Sequence, residues 1–383
     1  MSRKRQNGEG SIYQRSNGSW AAVYTNGVKP DGKPNRKWIY GKTAAEVREK
    51  LNKVTAQLRE GTYIEPEKLT VSAWLTIWLE NYVRRPGAKE STGDEYERVA
   101  VNRIIPYLGG NKLQKLRPEQ LQKWINELSG KYSPASVRNA HRVLSIALKQ
   151  AIKNRLILFN PAQEAILPKM DSKIKNPAQP LSEAEQEQLL KALPDTTAGR
   201  VLAFLIYTGL REGECCALTW ANVSKDAISV RQTVLRIKNR GEGTNKTVRR
   251  FDTPKTDTSI RDIPLTPSAQ AIITKQRTTQ AEAALKTGQP MPEFVFATAT
   301  GNVLEGAYLT KTLYNVCKRI GIPRRSPHDL RHTFGTRLNE RGVDANTIAR
   351  LMGHSNPTTT MNIYIHTDDA QLRRAMDRLE ACE

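Results

Sequence analysis

The chain has 383 residues, with 60 lysines and arginines against 38 aspartates and glutamates and a formal net charge of +22 at pH 7. That length implies two or three domains, and the charge favours a polyanionic partner, nucleic acid ahead of a membrane surface. No apolar run reaches the ~18 residues of a membrane helix, and residues 1–6 lack a secretory signal's apolar stretch, so a cytoplasmic protein is expected.

Three short runs, residues 10–15, 19–25 and 36–41, read as β-strands, with turn chemistry at Gly18 and at Lys29-Pro30-Asp31-Gly32. Thr43 and Glu46 form a capping box ahead of Val47, Leu51, Val54 and Leu58, which predicts a helix. Arg15, Arg36 and Lys37 make this βββα unit basic, and Trp20 and Trp38 read as its core. Residues 68–162 read as helices throughout. Val71, Trp74, Leu75, Trp78, Leu79 and Tyr82 fall at helical spacing, and further helices fit 94–108, 118–129 and 133–154. Ser133 caps the last of these, with Pro134 at its first position. Its apolar side carries Val137, Val143, Leu144, Leu148 and Ile152, while Arg138, Arg142, Lys149 and Lys153 form a basic stripe.

Residues 163–180 are rich in proline and lysine without apolar periodicity, as in a linker. A second capping box, Ser182 with Glu185, opens the region 181–383. It reads as a buried helix over 199–207, a three-stranded antiparallel sheet over 227–237, 247–254 and 259–265, and helices from Pro267, Thr310, Pro327, Asp344, Thr358 and Asp369. The fold class is therefore α+β and multidomain. A three-stranded sheet plus helix (1–63) precedes an all-helical domain (68–162) and a mainly helical domain with a small antiparallel sheet (181–383). Net charge is +8 over 1–61, +7 over 62–162 and +7 over 163–383, a distribution suited to a clamp along DNA.

The chemistry concentrates in the last region. Arg211 follows Thr208-Gly209-Leu210, with Glu214 three residues on as its natural ion partner. Lys255 lies in Thr253-Pro254-Lys255-Thr256, and Lys246 on the preceding loop competes with it. Ser326 and Pro327 start a helix that carries His328 and Arg331 one turn apart on one face. Gly353-His354-Ser355 follows, and then Tyr364, the only tyrosine after Tyr314. Arginine forks hold phosphate oxygens bidentately, a histidine can take a phenol proton, and a lysine can protonate a leaving oxygen. This set suits attack of a phenolic oxygen on a phosphodiester. His332 and His366 read as supporting neighbours. Cys215, Cys216, Cys317 and Cys382 are spaced for neither a disulfide framework nor a zinc site, and no motif calls for a metal or nucleotide cofactor.

Arg211, Lys255, His328-x-x-Arg331, Gly353-His354 and Tyr364, in this order, resemble the tyrosine recombinases, or phage integrases, over roughly residues 180–370. The resemblance implies that Tyr364 is the nucleophile, that His328 takes its proton, and that Lys255 is the general acid. It implies charge stabilisation by Arg211, Arg331 and His354. The βββα unit resembles the arm-binding module of integrases from phages and conjugative transposons, and residues 68–162 resemble their core-binding domain. The partners implied are double-stranded DNA attachment sites, three further copies of the chain, and accessory bending or directionality proteins. The helix expected over 368–383, with Leu372, Met376 and Leu379 on one face, would dock on a neighbouring copy. A type IB topoisomerase and a non-catalytic DNA-binding regulator are the alternatives.

Overall fold

A computed structural model describes residues 11–28, 30–60, 63–64, 68–170, 180–241, 246–252 and 259–354. The chain divides into two compact units, residues 1–170 and 171–383. No described helix is long and apolar enough to cross a membrane.

The first unit opens with an antiparallel sheet in the order β1 (Ser11–Gln14), β2 (Trp20–Val28), β3 (Pro34–Gly41). Helix α1 (Ala44–Arg59) covers one face, packing Val47 and Leu51 with Ala22 and Tyr24. Thr43 caps α1 as expected, but Glu46 accepts the N–H of Lys42, one residue earlier than a capping box requires. Strand alternation puts Ile39 toward α1 and Arg36, Trp38 and Tyr40 on the other face. Trp20 joins the core, whereas Trp38 is 50% exposed: the expectation that both tryptophans are core fails, because Trp38 alternates with the inward Ile39.

A separate core follows, built by α2 (Val71–Trp78), α3 (Glu90–Val99), α4 (Ile105–Leu108), α5 (Pro118–Ser129) and α6 (Pro134–Lys153). Helix α2 runs on through a π-helical turn at Leu79–Val83, and a second such turn, Ala100–Ile104, joins α3 to α4. Pro106 lacks an N–H and its ring would meet the Asn102 carbonyl in a regular helix, which accounts for the second widening. The indoles of Trp74 and Trp124 donate to Ala147 O and Arg103 O at 3.0 and 2.7 Å. The end of this unit and the start of the expected linker are both fastened to it. Asn160 donates to Ser145 Oγ, His141 Nε2 lies 2.7 Å from Ala162 O, the Gln122 amide pairs both ways with the backbone of Ile166, and Arg138 Nε donates to Pro168 O.

In the second unit Ser182 and Glu185 form their capping box at the start of α7 (Glu183–Ala192). Helix α8 (Thr197–Thr208) lies at the centre of the core, with Phe204 against Phe296 and Leu330 fully buried. It is followed by α9 (Glu212–Cys216), β4 (Ala227–Val230), β5 (Thr233–Lys238), β6 (Thr247–Asp252) and β7 (Arg261–Pro264). Helices α10 (Pro267–Thr287), α11 (Gly306–Ile320), α12 (Pro327–Glu340) and α13 (Ala345–Met352) complete the described part. The expected three-stranded sheet is instead, among the described residues, two antiparallel pairs, β4 with β7 and β5 with β6. The run 227–237 breaks at Arg231-Gln232, where the Gln232 amide donates to Ala217 O at 2.8 Å. Helix α11 begins four residues before the expected Thr310. The helices expected from Thr358 and Asp369 lie outside the described residues.

Candidate active site

Two helix ends meet here, and each ends on a glycine that no other residue replaces easily. Gly209 closes α8 at φ 63°, and a Cβ on it would come within 2.3 Å of the Phe334 ring. Gly353 closes α13 at φ 64°, and a Cβ there would lie 2.8 Å from Arg261 Nη1. Arg331, on α12, is 1% exposed and donates from Nη1 to Gly209 O and from Nη2 to Met352 O, stapling the two ends together. Arg211, the N-cap of α9, donates from Nη2 to Gly353 O at 2.9 Å and from Nη1 to Glu214 Oε1 at 2.6 Å. Its side chain remains 41% exposed, so this fork faces solvent while that of Arg331 does not.

Glu214 orients Arg211 as the sequence suggested, and it does more. Its buried carboxylate also accepts the backbone N–H of Arg211 and Arg261 Nη2 at 2.9 Å. Burial alone would raise its pKa; Arg261 and Arg211 outweigh that and hold it below the usual carboxylate range. Arg261 was missed by sequence reasoning. The available signal was its inward position in an alternating strand, where Arg261 and Ile263 are buried and Asp262 and Pro264 are exposed.

His328 is exposed at the first turn of α12, with its ring edge-on to that of the buried His332 at 4.4 Å. Partial loss of hydration within the site, helped by the charges of Arg331 and Arg211, keeps His328 below its ordinary pKa. His332 and His354 are pushed down to about 4, in each case first by burial. Arg331, Arg211, His332 and Arg261 add to the effect on His354, so those groups lie within electrostatic reach of it. All three imidazoles are therefore neutral at pH 7, the state in which His328 can accept a proton.

The structure thus brings together Arg211, Glu214, His328, Arg331, His332 and His354. Lys255 and Tyr364 lie outside the described residues; Lys246, the competing lysine, is exposed immediately before β6. Among the described residues no group of His, Cys, Asp and Glu side chains is arranged to hold a metal ion.

The expected DNA contacts sit elsewhere. Arg15 stacks over the Tyr40 ring at 5.1 Å and shares the open sheet face with Arg36, Trp38 and Tyr13, whereas Lys37 alternates onto the α1 side. On α6, Arg138, Arg142, Lys149 and Lys153 are all exposed, on the side away from Val137, Ala140, Leu144 and Ala151.

The sequence profile of the phage integrase family matches residues 179–371, and that of the phage integrase N-terminal SAM-like domain matches residues 70–129. A XerC-like tyrosine recombinase of Caldanaerobacter subterraneus subsp. tengcongensis is 30% identical, covering 94% of this chain and 95% of its own. Solved structures share the fold. The Tn1549 transposon integrase in complex with a circular intermediate DNA has a TM-score of 0.68 at 24% identity, over 82% of this chain and 100% of that one. The λ integrase tetramer bound to a Holliday junction has a TM-score of 0.58 at 18% identity, over 96% and 98%. The chain belongs to the phage integrase family and is a tyrosine recombinase, an integrase of the phage and transposon type.

Proposed function

We propose that this integrase cuts and rejoins double-stranded DNA at attachment sites through a 3′-phosphotyrosine intermediate, moving a phage or conjugative element into and out of a chromosome. The convergence of Arg211, His328, Arg331 and His354 on the ends of α8 and α13, ten residues before Tyr364, carries this reading. The phenolic oxygen of Tyr364 attacks the scissile phosphorus and the bond to the 5′ oxygen breaks. His328 takes the phenol proton, and Lys255 gives one to the departing 5′ oxygen, which leaves as a hydroxyl. Arg211, through its solvent-facing fork, and His354 hold the developing charge. Arg331 adds a buried positive charge behind them, where water screens it little. The phosphodiester energy stays in the phosphotyrosine bond, so an incoming 5′-hydroxyl reverses the step without ATP.

Residues 1–63 are assigned to accessory arm sequences through the open face of Arg15 and Arg36, 68–162 to the core site through the α6 stripe, and 181–383 to catalysis. The λ integrase tetramer on its junction supports four protomers around two duplexes, and family resemblance supports accessory bending or directionality proteins.

The test is covalent trapping on a nicked core site. Tyr364→Phe removes one hydroxyl and no charge, so it should abolish the adduct while leaving DNA affinity within about twofold of wild type. A Tyr364→Phe variant that still traps DNA would assign the nucleophile to another residue.

A further inference from the structure

Three arginines from three elements reach three consecutive carbonyls at one helix end. Arg261 Nε holds Leu351 O at 2.7 Å, Arg331 Nη2 holds Met352 O, and Arg211 Nη2 holds Gly353 O at 2.9 Å. The last carbonyls of a helix have no intrahelical donors and carry partial negative charge, so cations cap them well. Two of these arginines belong to the proposed phosphate site. Arg261 does not: its side chain is only 7% exposed, and its other donors go to Ser259 O at 2.9 Å and to Glu214 Oε2 at 2.9 Å. The chain is fitted closely around it, since a Cβ on Gly353 would lie 2.8 Å from its Nη1 and 3.1 Å from its central carbon.

We infer that Arg261 is a positioning residue for strand cleavage: it ties the Glu214 carboxylate to the end of α13 and so fixes the Arg211 fork relative to His354. This rests on the active-site reading above. The geometry requires an arginine. One planar guanidinium reaches a helix carbonyl, the Ser259 carbonyl just before β7 and a carboxylate in three directions at once; a lysine ammonium on a flexible stem cannot hold all three in one plane. Without the clamp, Glu214 keeps its bonds to Arg211 but loses its own tie to α13, so the single Arg211–Gly353 bond is left to hold the Arg211 fork in place relative to His354. A misplacement of about 1 Å in such a site costs on the order of a hundredfold in rate.

Single-turnover cleavage of a nicked core site at saturating DNA, alongside DNA affinity, tests the proposal with wild type, Arg261→Lys, Arg261→Leu, Glu214→Gln and the double variant Arg261→Lys/Glu214→Gln. Arg261→Lys should slow cleavage at least about tenfold and Arg261→Leu about a hundredfold, with affinity within about threefold of wild type. If Arg261 acts through Glu214, the double variant cleaves no more slowly than its slower parent. Multiplicative losses in the double variant, or wild-type cleavage by Arg261→Lys, would overturn the clamp. So would an affinity loss that accounts for the whole defect. Arg261→Lys keeps the buried charge, so the result stands even where Arg261→Leu does not fold. A wild-type chain that forms no adduct would instead overturn the recombinase mechanism, and the clamp with it.

Discussion

Helix α6 and the end of α13 are both ringed with basic side chains, but the two sets live in opposite environments. Arg138, Arg142, Lys149 and Lys153 stand exposed on α6, while Arg261 and Arg331 lie buried with their donors on named carbonyls and one carboxylate. Exposed charges gain little from any single partner and act by releasing counterions from a polyanion. Buried forks are costly to desolvate and persist only where nearly every donor is satisfied, so they fix geometry. Arg211 joins the two classes: one side of its guanidinium is tied to Glu214 and Gly353, and the rest faces solvent. The expectation that follows is that the exposed charges set DNA affinity, and that the two buried forks, with the half-exposed Arg211 they hold in place, set the cleavage rate.

Removing a buried fork should do the greatest harm. Arg331→Ala strips the carbonyls of Gly209 and Met352 of their donor and leaves a cavity between α8, α12 and α13. The expected loss is roughly 3 kcal/mol of folding stability, together with all measurable cleavage. Denaturant unfolding and adduct formation check this together. A loss of cleavage with unchanged stability would mean that Arg331 serves only the phosphate.

A smaller effect follows from the histidines beside those forks. His332 and His354 have folded pKa values of about 4 against an ordinary value of 6.5. The unfolded chain therefore binds more protons than the folded one between those values, so stability is full above about pH 6.5 and falls as pH drops toward 4. For the 6%-exposed His332 the loss is at most about 3 kcal/mol, at about 1.4 kcal/mol per pH unit. Melting temperature should thus decline between pH 7 and pH 5, and His332→Gln should flatten that decline. An equal slope in the variant would show that His332 does not titrate in this window.

Much of this was legible in the sequence, and what was not has physical reasons. Helix starts announced themselves locally: Ser133-Pro134, Ser182 with Glu185, and Ser326-Pro327 all cap where expected, because a cap is a contact between residues two or three apart. Spacing likewise singled out Arg211, His328, Arg331 and His354, which the fold brings to one place, and Glu214, which pairs with Arg211. Long-range facts were hidden. Alternation over 227–237 reads as one strand and does not say that its halves pair with different partners. Apolar periodicity runs through Leu79–Val83 and Ala100–Ile104 without signalling that the helix widens there. Residues 163–168 look like linker by composition, yet the Gln122 and Arg138 side chains hold them by backbone contacts that composition does not encode. Arg261 escaped because a charged residue in a strand reads as solvent-facing, and only the carboxylate and carbonyls around it make burial tolerable.

The smallest effect belongs to the exposed set. Lys149 and Lys153 lie one turn apart on α6 with no hydrophobic role, so replacing both with glutamine should leave folding untouched. If each neutralises one backbone phosphate, the slope of log affinity against log salt becomes shallower by about 0.9 per lysine. Cleavage at saturating DNA should not change, because neither side chain orients Arg211 or His354. Arg142 is the sharper probe within the same stripe, since its guanidinium also lies 5.7 Å over the Tyr96 ring and donates to Asn139. Arg142→Gln should therefore lose the same increment of salt slope plus a few tenths of a kcal/mol of stability. An unchanged slope in the double lysine variant would place the DNA on another face of this unit, and the division between exposed charges for affinity and buried charges for rate would have to be redrawn around it.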